Sequence, residues 1–402
     1  METVTNHKKI KEVLTRGVEM IFPGRNLLSR RMSSGKKIRL YCGYDPSGVS
    51  LHVGHMISLM KLSQFQRLGH EVIMLIGDFT GMIGDPTDKT AARKKLTRKE
   101  VLKNAKSYKK QARKILKFTG VNPAKILYNS EWSDKLSFID LIELSSNFTV
   151  QQMMIRDMFQ ERIKSKKPIY LHEFLYPLAQ AYDSVAMDVD LEVGGKDQTF
   201  NMLCGRHLMK AVNDKEKMVL TTKLLTDSSG KKMGKTESNI VDMGASPEDI
   251  FGGIMAWPDN IIVLGMEACT WMSVSEIKEI SAQLIGKKIN PREAKARLAK
   301  EVVAICYDKK TAEVAEREFG KVFREKGLPS KMSNVKIKEG KMDILDLLVK
   351  TKLASSKSVA KRLILQGGIK IAGVLKKDWK ERIKIKKGLV VQVGKRKFAR
   401  LV

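Results

Sequence analysis

Two histidines three residues apart, His52 and His55, bracket Gly54 at the start of a helical pattern that continues through Met56, Leu59 and Leu62. An apolar, strand-forming run at 37–41 precedes them, and Gly43, Asp45, Pro46 and Gly48 break the chain in between. A strand, a tight loop and a helix N-terminus form a place where backbone N–H groups and the helix dipole attract phosphate. Two imidazoles on one helical face add donors there, and Gly54 removes the side chain that would hold a flat ring at a distance. A second cationic set, Lys232 and Lys235, lies in the Gly/Ser-rich stretch 227–236. Lysine point charges on such a loop suit a triphosphate and the charge that builds up as pyrophosphate leaves. A third set, Tyr176, Gln180 and Asp183, recurs at i, i+4 and i+7, so one face of a helix carries three polar groups amid Leu175, Leu178 and Ala179. That pattern reads as a pocket wall rather than a core face. Taken singly, each set has an ordinary meaning: surface or core histidines, an exposed turn, a polar stripe.

The elements that must hold these residues follow from the apolar pattern. Residues 1–35 read as helix, then loop. The run 71–77 is a second buried strand, feeding a Gly/Pro-rich loop at 78–86, and strand–helix–strand at this spacing predicts a right-handed βαβ unit with ligands at the strands' carboxyl ends. A long basic helix is expected over 96–117, a short strand at 125–127, and a helix with a Met-rich stripe over 147–162 that suits core or subunit interface. After a helix at 173–183, a strand at 189–193, the loop 194–198 and another helix repeat the strand–loop–helix arrangement, and 219–225 leads into the lysine-rich stretch. Residues 246–327 read as helical with a break at 257–259, 328–334 as a linker, and the remainder as two helices, a Gly turn and short alternating strands.

At 402 residues the chain is long enough for two or three domains. Its 43% hydrophobic and 30% charged residues are those of a globular protein, and no apolar run reaches the ~18 residues that span a bilayer. No signal-peptide core follows Met1, so a cytoplasmic location is expected. The net charge of +31 points to nucleic acid as partner. It is concentrated: residues 341–402 hold 18 Lys/Arg against 4 Asp/Glu, and residues 91–118 hold 12 against 1. Cys42, Cys204, Cys269 and Cys306 are widely spaced, which argues against a zinc site or a disulfide framework.

Together these landmarks resemble the tyrosyl-tRNA synthetases of bacterial and organellar type over nearly the whole chain. His52-Val-Gly-His55 is similar to the first class I signature, and Lys232-Met-Gly-Lys-Thr236 to the second, with Gly and Thr in place of two serines. The stretches 176–183 and 194–198 resemble the family's tyrosine helix and ribose loop, and 341–402 resembles a small RNA-binding domain shared with a ribosomal protein. The resemblance implies an α/β fold with three parts: a Rossmann-like parallel-sheet catalytic domain (1–236), an α-helical anticodon-side domain with linker (237–335), and a small α+β RNA-binding domain (341–402). It implies tyrosine–tRNA ligase activity: ATP and tyrosine give tyrosyl-adenylate and pyrophosphate, and tyrosine then passes to the 3′-terminal ribose of tRNA(Tyr). Tyr41 and Asp183 would meet the phenol hydroxyl, and phenylalanine would leave a buried carboxylate unpaired. Tyr176, Gln180, Asp85 and Asn129 would hold the substrate ammonium, with Gln198 near the reacting carboxyl group. Asp45, Gly54, Gly195 and Asp197 would contact adenosine, as would Cys42, for which a small buried hydrophobe is an equal reading. Ser47, His52, His55, Lys89, Arg93, Lys232 and Lys235 would bind phosphates. Mg2+ would travel with ATP rather than in a protein cage. A homodimer with tRNA as partner, and no membrane association, complete the expectation. Lys196 adds a charge to the ribose loop that the family pattern does not assign.

Two other readings stand beside this one. A tryptophanyl-tRNA synthetase shares the fold, though the Tyr41/Asp183 pair suits a phenol. An RNA-binding scaffold would use the basic tail and have no need of the phosphate-binding His and Lys positions.

Overall fold

The computed structural model describes residues 1–87, 96–226, 233, 241–323, 332–394 and 397–402. Contacts group the chain into two units, one of residues 1–245 with 253–309 and one of 246–252 with 310–402.

The first unit is built on a six-stranded sheet of β1 (Val18–Phe22), β2 (Arg39–Tyr44), β3 (Glu71–Ile76), β4 (Lys125–Tyr128), β5 (Leu191–Gly195) and β6 (Met218–Thr222). Their order is β1-β6-β5-β2-β3-β4, with β2 to β6 parallel and β1 antiparallel on the edge beside β6. β3 is buried from Val72 to Ile76, which is why it reads as an unbroken apolar run. The helix Val53–Arg67, between β2 and β3, is buried on most of its circumference, from Met56 through Leu59 and Leu62 to Phe65.

From β2 the chain winds outward to β3 and β4, then returns to β5 on the other side of β2. That reversal is the topological switch point, where an open α/β sheet leaves a crevice beyond its strand ends. β2 and β5 pair only at Leu40 with Leu191 and Tyr41 with Glu192. β2 continues beside β3 to Tyr44, and β5 beside β6 to Gly195, so a gap opens above Tyr41 and Glu192.

Several expectations are corrected. Residues 1–35 hold two helices, His7–Thr15 and Arg25–Ser33, with strand β1 between them. β2 runs through Gly43, which pairs with Leu75, instead of ending before it. The loop at 78–86 contains a helical turn, Thr80–Ile83. The basic segment is two helices, Arg98–Ala105 and Tyr108–Ala112, the second preceded by Ser107, whose hydroxyl donates to the carbonyl of Val49. The Met-rich segment is likewise two, Val150–Met154 and Asp157–Lys164, because Arg156 between them takes an extended conformation. The first two residues of the 194–198 loop close strand β5, and Lys196–Gln198 form a 3-10 turn. Ser333–Val335, at the end of the expected linker, is a strand.

In the second unit that strand lies parallel to Lys397–Leu401 at the edge of a five-stranded sheet. Helices Ile344–Lys350 and Lys357–Leu365 share a core with it, built from Ile344, Leu348, Ile364, Ile369, Val391 and Leu401. Strands with alternating exposure, such as Ile369–Ile371 and Arg382–Ile385, put isoleucine inside and lysine or arginine outside.

Candidate active site

A cavity of about 650 Å³ sits at the switch point, lined from the ends of β2, β5 and β6, the start of helix Val53–Arg67 and the inner face of helix His172–Ala186. Among the expected residues, Tyr41, Cys42, Asp45, Ser47, His52, Gly54, His55, Asp85, Asn129, Tyr176, Gln180, Asp183, Gly195, Asp197 and Gln198 all line it. Lys89, Arg93, Lys232 and Lys235 lie outside the described residues.

At the helix mouth His52 is the N-cap residue, with extended φ −118° and ψ 171°. Its backbone N–H donates to Nδ1 of His55 at 3.2 Å, and the two rings stack with centroids 3.8 Å apart. A neutral imidazole that accepts at Nδ1 carries its proton on Nε2. Burial holds both histidines below the usual imidazole range, His55 well below it, and for His55 the neighbouring His52 adds to the effect. The pair therefore offers neutral N–H donors at a helix N-terminus. Gly54 is the reason they fit: a Cβ there would lie 2.8 Å from Cε1 and 2.9 Å from Nδ1 of His52. An antiparallel bridge joins His52 to Asp242, with Val53 N–H donating to the carbonyl of Val241, so chain returning from the lysine-rich segment is tied to the histidine segment.

Deeper in, Asp183 is buried and accepts from Trp132 Nε1 at 2.8 Å and from Asn129 Nδ2 at 3.3 Å. Burial raises its pKa well above the usual carboxylate range, those two donors pull it back, and Glu192 and Asp45 push it up further. The Asn129 amide also donates to Thr80 Oγ1 and accepts from the N–H of Phe79, so it orients Asp183 from behind. Tyr41 is wholly buried, and its hydroxyl meets Ser184 Oγ at 2.9 Å.

The remaining polar groups form pairs. Tyr176 donates to Asp45 at 2.8 Å, Thr80 donates to the other oxygen of Asp45, and Gln198 donates to Asp85 at 2.7 Å. A Cβ at Gly77 would collide with Asp45 Oδ1, so glycine there is what lets Asp45 fold back on the chain. Gln180 donates to Glu192 at 2.9 Å. Cys42 is buried in the wall, its thiol pushed up to about 11 by burial. Lys196 pairs with Glu19 on β1 at 2.7 Å, which accounts for its charge without the cavity. Among the described residues no three His, Cys, Asp or Glu side chains converge as a metal cage.

The sequence reading missed Thr80, Trp132, Ser184, Glu192 and Lys217. Glu192 had a weak signal, being one of two carboxylates that alternate with apolar residues in the strand-forming stretch 189–193. Lys217 had the same kind of signal, standing directly before three apolar residues, but it reads as part of the charged run 214–217.

An acceptor-rich floor, a ring of amide and carboxylate groups, and a neutral imidazole pair at a helix N-terminus suit a zwitterion with a polar side chain beside a nucleotide. Comparison with known proteins points the same way. Residues 32–324 match the family model for class I tRNA synthetases (W and Y), and residues 324–401 match that of the tyrosine–tRNA ligase SYY-like C-terminal domain. The tyrosine–tRNA ligase of Moorella thermoacetica is 41% identical over 97% of this chain and 94% of its own. That of Thermotoga maritima is 41% identical over 99% and 98%. Among solved structures, a C-terminally truncated mitochondrial tyrosyl-tRNA synthetase of Coccidioides posadasii superposes with a TM-score of 0.64 at 25% identity, covering 77% of this chain and 91% of that one. The enzyme of Archaeoglobus fulgidus, complexed with L-tyrosine, shares the fold with a TM-score of 0.61 at 20% identity, covering 76% and 99%. Switch-point cavity, signature helix and near full-length similarity agree, and the chain belongs to the tyrosine–tRNA ligase family of class I aminoacyl-tRNA synthetases.

Proposed function

We propose that the chain activates tyrosine with ATP and transfers it to the 3′-terminal ribose of tRNA(Tyr). The observation that carries this reading is Asp183, a buried carboxylate framed by Trp132 and Asn129 at the floor of a cavity whose mouth holds the His52/His55 pair. A phenol hydroxyl gives that carboxylate a donor; a phenyl ring does not. Tyr176, Gln180, Asp85 and Gln198 surround the substrate ammonium and carboxylate. Asp45, Gly54, Gly195, Asp197 and Cys42 take adenosine, and Ser47, His52, His55, Lys89, Arg93, Lys232 and Lys235 take the phosphates. A tyrosine carboxylate oxygen attacks the α-phosphorus as the bond to pyrophosphate breaks on the opposite side. Positioning and neutralisation of phosphate charge do the catalysis, with no protein nucleophile. Mg2+ enters with ATP, supplying charge neutralisation on its phosphates.

The division into a catalytic part (1–236), a helical anticodon-side part (237–335) and an RNA-binding part (341–402) belongs to the same proposal. The last is supported by its outward lysines and arginines, which suit tRNA phosphates. A homodimer is supported by apolar side chains on residues 138–171: Phe138 is 79% exposed and Leu171 82%, with Ile139, Val150 and Ile155 also exposed. No helix among the described residues is long and apolar enough to cross a membrane, and we place the protein in the cytoplasm.

Amino-acid-dependent ATP–pyrophosphate exchange with tyrosine, tryptophan and phenylalanine supplied separately tests the reading. Exchange with tyrosine alone is expected; exchange with tryptophan instead, or with none, overturns it.

A further inference from the structure

Behind Tyr41 lies a group the activation chemistry does not use. Lys217, at the start of β6, is wholly buried, and its ammonium donates to Glu192 Oε2, to Ser184 Oγ at 2.8 Å and to the carbonyl of Met202 at 3.2 Å. Its three N–H groups are thereby matched by three acceptors. The space for it is made by Gly205 on helix Thr199–Asn213: a Cβ there would collide with Lys217 Nζ and come within 2.9 Å of Ser184 Oγ. A buried ammonium is costly unless fully paired, so this is a built arrangement, not a stray side chain.

Its consequence is directional. An ammonium only donates, so Ser184 Oγ accepts from Lys217. Among the described residues, Ser184 Oγ has one other hydrogen-bond partner, Tyr41 Oη at 2.9 Å. Ser184 is itself wholly buried, and its proton goes to Tyr41 Oη. Tyr41 then accepts from behind, and its own proton is left for an acceptor away from Ser184, either the Glu192 carboxylate that interacts with the hydroxyl or a group lodged in the cavity. Asp183, whose oxygens take N–H groups from Trp132 and Asn129, is the acceptor on the other side.

We propose that Lys217 and Ser184 form a one-way hydrogen-bond relay that fixes Tyr41 as a donor toward the substrate's phenol oxygen, leaving the phenol proton for Asp183. The preference for a phenol over a phenyl side chain is thus set partly outside the pocket, by two positioning residues that do not touch the substrate. Burial first, then the charges of Glu192 and Asp183 and the hydrogen-bonding reach of Glu192, hold the proton on Tyr41. This inference rests on the reading of tyrosine as the substrate.

The test is a double-mutant cycle read by ATP–pyrophosphate exchange with tyrosine and with phenylalanine. Ser184→Ala in the otherwise unaltered chain should lower kcat/KM for tyrosine about 2- to 10-fold, the worth of one neutral hydrogen bond, and leave KM for ATP and the phenylalanine rate unchanged. In a Tyr41→Phe background the same substitution should have no effect on tyrosine, because the group it acts through is gone. An equal loss in both backgrounds, or an unchanged tyrosine-to-phenylalanine ratio, overturns the relay. Should Ser184→Ala fail to fold, Lys217→Met goes through the same cycle, and Lys217→Gln, which keeps an N–H donor, should retain the ratio that Lys217→Met loses. Equal loss in both Lys217 variants overturns the donor role. Absence of tyrosine-dependent exchange in the unaltered protein is a different failure, that of the substrate reading itself.

Discussion

Asp183→Asn removes one oxygen and one charge from the cavity floor without changing its shape, and its effect can be worked out from the neighbours. Asp183 accepts from Trp132 on one oxygen and from Asn129 on the other. An amide has a single oxygen, so one of the two donors must face an NH2 group. Asn129 cannot flip to relieve this, because its oxygen accepts from Phe79 N–H at 2.8 Å and its nitrogen also donates to Thr80 at 3.0 Å. The frame therefore loses one buried hydrogen bond, at a cost of about 1–3 kcal/mol, offset in part by relief of a carboxylate that burial already disfavours. The phenol loses a charged acceptor, about 1.5–3 kcal/mol of binding, which is roughly 10- to 150-fold in kcat/KM for tyrosine. Phenylalanine makes no such bond and should keep its rate, so the ratio of the two falls by the whole factor. Pyrophosphate exchange with each amino acid, beside a melting curve for each protein, measures this. A parallel loss for tyrosine and phenylalanine would refute the reasoning, since Asp183 would then support the fold and not the phenol.

Gly54→Ala should lower the exchange rate about 10- to 100-fold with KM for tyrosine little changed, because the added methyl displaces the His52 ring; single-turnover adenylate formation checks it. His70 is buried, its Nδ1 accepts from Ile38 N–H at 3.3 Å, and burial holds its pKa down at about 4. The unfolded chain protonates it near 6.5 and the folded chain only near 4, so this residue's contribution is present above pH 6.5 and lost as pH falls toward 4. Urea melts should show His70→Gln flattening that loss, by at most about 3 kcal/mol across the window. Deleting residues 341–402 should leave tyrosine-dependent exchange intact and weaken tRNA binding with a shallower salt dependence, measured by filter binding from 50 to about 200 mM salt.

What was legible in the sequence was what local pattern controls. β3 is buried from Val72 to Ile76 and leaves an apolar run, while the helix Val53–Arg67 shows in the helical recurrence of Met56, Leu59 and Leu62. Tyr176, Gln180 and Asp183 were found because helical spacing alone puts them on one face. What escaped was decided by distant partners. β1 is a five-residue edge strand whose partner, β6, lies some 200 residues on, and its pairing slips between Val18 and Met20, so nothing nearby marks it. Arg156 stands extended at the N-cap of the second helix of the Met-rich segment, and its guanidinium reaches Thr87 Oγ1 at 2.7 Å, a contact no periodicity records. Lys217 looks like surface charge until Glu192 and Ser184 close around it.

The two-rung ladder between β2 and β5 makes the sheet a pair of stiff plates joined by a narrow strap. Residues 42–44 on one plate and 193–195 on the other face each other with no pairing across the gap, although each is fully laddered to its outer neighbour. A ligand lodged there occupies the place of the missing rungs. It fastens the plates together where the backbone does not, so occupancy should slow amide exchange in β2 and β5 and raise the melting temperature by more than its contact area alone would suggest.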